Sequence, residues 1–165
     1  MMATLQELIA YLAQSAWADS IRENEFLFPL LESVHVIAIC LVIGTVLALD
    51  LRLLGLASVN RSVTSVARGI LPLTWGAFAL AVVSGGLLFI SNASHYLANR
   101  YFDAKICLIG IAGLNMVIFH LGGAKDRWHW ESERRLPTKA RLAGGVSILV
   151  WLAVVACGRW IGFTM

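Results

Sequence analysis

Four long apolar runs, set apart by short charged stretches, constrain this chain more than any other feature. They are Phe26 to Leu49, broken by Glu32 and His35; Ile70 to Ile90, with no charge; Ile106 to Leu121, preceded by Lys105; and Leu142 to Met165, broken by Arg159. A helix needs about 20 apolar residues to cross a hydrocarbon layer roughly 30 Å thick. Three runs meet this outright, and the third meets it if Lys105 snorkels and Tyr101 and Phe102 sit at the interface. Helix is the expected conformation because a bilayer leaves no backbone group unpaired. Charged residues make up 14% of the chain, against about 25% in soluble domains. Too little polar surface remains to cover the molecule in water. The expectation is an all-α, integral membrane four-helix bundle over residues 25–165, with spans near 26–49, 70–92, 102–122 and 142–164.

Residues 1–24 read differently. Leu5, Leu8, Ile9, Leu12 and Trp17 recur at helical spacing, with Gln6, Glu7 and Gln14 between them. This predicts an amphipathic helix on the membrane surface. No basic start leads into a continuous apolar run, so the segment is not read as a signal peptide, and the first span is expected to direct insertion.

Basic residues set the expected orientation. The stretches after the first and third runs hold Arg52, Arg61, Arg68, Lys125, Arg127, Arg134, Arg135, Lys139 and Arg141; the other side holds Arg22, Arg100, Lys105 and Arg159. Nine against four places the richer side in the cytoplasm and both termini outside. The net charge of +3 follows from this distribution. The 125–141 stretch also carries Asp126, Glu131 and Glu133, so its mixed sign reads as a solvated loop near lipid and not as a nucleic-acid surface.

Cys40, Cys107 and Cys157 each lie inside a run and form no CxxC or CxxCH pair, which argues against covalent c-type haem and zinc. They read as small packing residues. Gly85-Gly86 and Gly144-Gly145 would permit close helix approach, or equally a flat ring against a helix.

Polar groups inside the runs are expensive and so mark chemistry. They are Glu32, His35, Asp50 and Arg52 on the first, and Lys105, Asn115 and His120 on the third. At 100° per residue, Glu32 and His35 fall within about 60° of each other, and Asp50 returns to the angle of Glu32. Lys105 and His120 share a face, roughly 22 Å apart. A histidine in such a helix either hydrogen-bonds a neighbouring helix or ligates a metal, and facing histidines in bundles hold haem. No HxxxH or MxxM pattern favours copper.

Three stretches carry a family resemblance: LESVHVIAICLVIGTVLALDLRLLG, ILPLTWGAFALAVVSGGLLFI and YFDAKICLIGIAGLNMVIFH. The first resembles the opening helix of HemJ-type protoporphyrinogen oxidases and CopD-like copper-resistance proteins, with its histidine and following arginine. The second resembles their proline-led apolar helix, and the third their helix running from lysine to histidine. The layout is also similar to that of uncharacterised bacterial four-helix membrane proteins of unknown function. The resemblance covers about residues 28–122. It implies haem b, with His35 as iron ligand, His120 or His95 as further candidate ligands, and Lys105 or Arg52 pairing with propionates. The His35–Arg52 gap is longer than expected for HemJ-type proteins, and Glu32 is an addition to the pattern that is counted here among the cofactor-contacting candidates. His35 lies about 10–13 Å and His120 about 22–25 Å from the outer face, so one tilted haem, two haems, or ligation by His35 alone all stay open.

The function this implies is electron transfer by a cytochrome b-like subunit in the bacterial inner membrane, homo-oligomeric and served by membrane or periplasmic redox partners. The alternatives are protoporphyrinogen oxidation, or a CopD-like transport or assembly subunit without a redox centre.

Overall fold

A computed structural model of the chain describes residues 7, 11, 13–122 and 136–164, the last three of the first stretch by backbone alone. Six helices are described: α1 (Ala16–Glu23), α2 (Leu27–Leu54), α3 (Val63–Ser91), α4 (Ala93–Leu97), α5 (Arg100–Gly122) and α6 (Thr138–Thr164). There is no strand among the described residues. Helices α2, α3, α5 and α6 are long and apolar enough to cross a membrane.

The four long helices extend beyond the apolar runs, and local chemistry decides where they stop. Helix α2 has 28 residues, about 42 Å of rise. The Asn24 side-chain oxygen accepts from the Phe26 and Leu27 amides at 3.0 and 3.1 Å, starting the helix. Pro29 falls in the first turn, where the missing N–H has no helical partner to lose. The helix runs past Asp50 and Arg52 and stops at Gly55, whose φ of 75° is left-handed. The Leu56 and Gly55 amides then cover the Leu51 and Arg52 carbonyls at 2.9 and 3.1 Å, a Schellman closure. The Ser62 hydroxyl caps α3 by accepting from the Ser65 amide at 3.0 Å. Pro72 sits inside α3. Asn99 starts α5 by accepting from the Tyr101 amide and ties it to the end of α6 by donating to Thr164 Oγ1 at 2.8 Å.

Helix α2 is the central element. It packs on α3 and α6, and α5 packs on α6. Each of these pairs is antiparallel, as the short links through α4 and residues 55–62 require. The start of α2, the end of α3, helix α4, the start of α5 and the end of α6 therefore share one end of the bundle, called here the α4 end. The Arg52 end is opposite. There a small core joins Leu53, Leu136 and Ala140 to Val63 and Phe119.

Little of the apolar surface is buried. In the most apolar stretch of α5 no residue is buried, and in that of α6 the buried share is 22%. Side chains such as Ile37, Val83, Leu114, Ile118 and Leu149 stand exposed. Apolar residues turned outward all along the helices suit a lipid environment.

The expected amphipathic surface helix over residues 1–24 is not confirmed; α1 covers residues 16–23 of that segment. Helix α1 packs on α2 and α3 and buries Ala18 and Ile21, while Trp17 is 79% exposed. The Ser15 hydroxyl accepts from the Ala18 amide, and Arg22 pairs with Asp19. Leu5, Leu8, Ile9 and Leu12, on which the amphipathic pattern rests, lie outside the described residues.

Candidate functional site

Several polar side chains gather in one layer near the α4 end. Counted at 1.5 Å per residue from the helix ends, His35 lies ~12 Å in, Lys105 ~8 Å, Ser84 ~10 Å and Cys157 ~10 Å. His35 is half-buried and turns toward α3. Its Nδ1 lies 3.0 Å from Ser84 Oγ. The Ser84 hydroxyl spends its only proton on the Leu80 carbonyl at 2.7 Å. It can therefore only accept from the imidazole, so Nδ1 carries the proton and donates. The Ala81 backbone is a second hydrogen-bond partner of the His35 side chain, and with the proton on Nδ1 the neutral ring carries Nε2 as its unprotonated nitrogen.

Gly85 makes this placement possible. A Cβ at position 85 would stand 2.7 Å from His35 Cε1 and 3.3 Å from Nδ1. The ring thus occupies the volume that any other residue would fill. The second glycine of the pair, Gly86, has nothing within 4 Å of its Cβ position. The useful signal was the Ser84-Gly85 pair: one residue fixes the tautomer and the other makes room. The sequence reading noticed the glycines and missed the serine.

The ammonium of Lys105 approaches α6, where a Cβ at Gly158 would stand 3.8 Å from Nζ. Its charge acts on His35, and the Cys157 thiol lies near enough to act on it. No carboxylate pairs with it among the described residues.

The other predicted residues are dispersed. Glu32 is exposed at the start of α2. Its charge reaches Tyr96 of α4, whose phenol is pushed up in pKa first by burial and then by that carboxylate. Tyr96 closes this end of the bundle with Phe89 and Phe102, whose rings stack at 5.4 Å. His95 is exposed on α4. The His120 side chain lies outside the described residues. Arg52 is only 1% exposed and donates from Nε to the Arg61 carbonyl at 2.7 Å, so it pins the loop after α2. It lies ~25 Å along α2 from His35 and belongs to the opposite end. Asp50 leaves the expected stripe as well, because Ser147 of α6 hydrogen-bonds its carboxyl. Among the described residues no three His, Cys, Asp or Glu side chains converge as a metal cluster.

Four helices of membrane-crossing length around a half-buried imidazole define a class of protein and not yet a chemistry. The chain belongs to the family of unknown function DUF6644, whose model matches residues 27–164. That match covers all four long helices and carries no link to the HemJ or CopD proteins. Comparison with curated proteins finds no match, and comparison with solved structures finds none.

Proposed function

We propose that the protein is a membrane-embedded b-type haem protein that transfers electrons, with His35 as an axial ligand. The observation that carries this reading is the His35–Ser84 hydrogen bond. Histidines that bind metal typically donate from one ring nitrogen to a protein acceptor, which orients the ring and frees the other nitrogen. The Ser84 hydroxyl, 3.0 Å from His35 Nδ1, is an acceptor of this kind when Nδ1 carries the proton. A porphyrin supplies four nitrogens itself, so one or two protein ligands suffice where a bare metal ion would need a cluster. Lys105, in the same layer and without a carboxylate partner, would pair with a propionate. Arg52, at the other end, is left to its structural role. The bound group would supply a one-electron redox centre; the chain would supply the imidazole, the cation and an apolar surround that lowers solvent access.

On this reading the α4 end is periplasmic, as the count of basic residues implies. The membrane is the bacterial inner membrane, and copies of the chain associate there with redox partners. The transport alternative is weakened because Glu32, His35 and Asp50 face solvent, α3 and α6 in turn and line no common path. Protoporphyrinogen oxidation stays as the second reading, since Lys105 could equally meet a substrate carboxylate.

The test is purification from a haem-replete host followed by oxidised and reduced absorption spectra. A Soret band and a sharp α-band upon reduction are expected. Protein that copurifies with no haem and takes none up when it is added overturns the proposal.

A further inference from the structure

We infer that Asp50 is a proton-binding site of the bundle, a carboxylic acid held between α2 and α6 at the end opposite His35. The inference rests on packing at Asp50 alone and is independent of any haem. Asp50 is 5% exposed. Its Oδ2 is buried with no hydrogen-bond partner, so the Ser147 hydroxyl meets Oδ1. Ser147 is itself buried. Helix α6 comes close here because of Gly144, where a Cβ would stand 3.0 Å from the Asp50 carbonyl oxygen and 3.1 Å from Leu53 Cβ. That contact brings the α2 and α6 backbones together beside Asp50.

Among the described residues no cation pairs with it. On α2 the nearest cation, Arg52, points to the Arg61 carbonyl. On α6, Lys139 and Arg141 are exposed, and on α3 so is Arg68. Among the described residues the polar partner of Asp50 is Ser147. A carboxylate sealed from water with a single hydrogen bond is strongly disfavoured, whereas the neutral acid is tolerated. The Ser147 donor suits the acid's carbonyl oxygen, and the bare Oδ2 is the atom left to hold the proton.

Infrared spectroscopy of the whole protein in lipid tests this, comparing wild type with Asp50→Asn and, as a control, Glu32→Gln. At mildly acidic pH the wild type should show a protonated-acid C=O band that vanishes in Asp50→Asn and persists in Glu32→Gln. The band should also fade as the pH is raised. Ser147→Ala, which keeps the carboxyl, should move the band to higher frequency by removing its hydrogen bond. This second variant keeps the test open if Asp50→Asn does not fold. The inference is overturned if Asp50→Asn loses a carboxylate band instead, if the acid band is the same in all variants, or if sodium ions abolish it at constant pH, which would assign the site to a metal cation.

Discussion

The two ends of the bundle handle buried polar groups in opposite ways. At the α4 end, His35 and Lys105 gather in one layer, where glycines of the facing helices leave room for their side chains. At the Arg52 end, packing closes over the polar groups. Arg52 is tied to the Arg61 carbonyl, and Asp50 is pressed between α2 and α6. Room around a polar group suits a ligand, whereas a sealed polar group suits structure or a proton. Glycine serves both ends by different means: Gly85 accommodates a side chain, and Gly144 accommodates a neighbouring backbone.

Substitutions can break this contrast. The largest effect is expected from Gly85→Val, which places a branched side chain where the His35 ring lies. It should abolish haem binding while the protein still folds, because the imidazole can turn outward; unchanged haem content would show that the ring's seat is unimportant. Gly144→Leu should act on stability instead. Its new atoms meet backbone that cannot move aside, so unfolding in a denaturing detergent titration should come earlier by about 1–3 kcal/mol. Arg52→Met removes the link to the Arg61 carbonyl and, by the same titration, should cost about 1–3 kcal/mol with haem content unchanged. Asn115→Ala removes a 3.0 Å bond to the Ala143 carbonyl between α5 and α6. Polar contacts of this kind within membrane helices average about 0.6 kcal/mol, so the midpoint should barely move. A large loss there would mean that α5 depends on this bond far more than its packing suggests.

The four long helices were legible because length and apolarity alone determine them, whatever their partners. Their ends were less so. The first span was expected to stop near Leu49, before the charges of Asp50 and Arg52, but the helix continues until Gly55 supplies a left-handed residue. Charge marks where a lipid core ends; backbone chemistry marks where a helix ends. Helical angles placed Glu32, His35 and Asp50 on one broad face, yet each meets a different neighbour, which depends on which helices pack and cannot be read from one strand of sequence.

The most direct measurement is the reduced-minus-oxidised spectrum of wild type beside His35→Ala and Ser84→Ala, each purified from the same haem-replete host. The account predicts a b-type α-band in wild type, its loss in His35→Ala, and a shifted or weakened band in Ser84→Ala, where the ring has lost the acceptor that fixes its tautomer. A His35→Ala protein with the wild-type spectrum would contradict it.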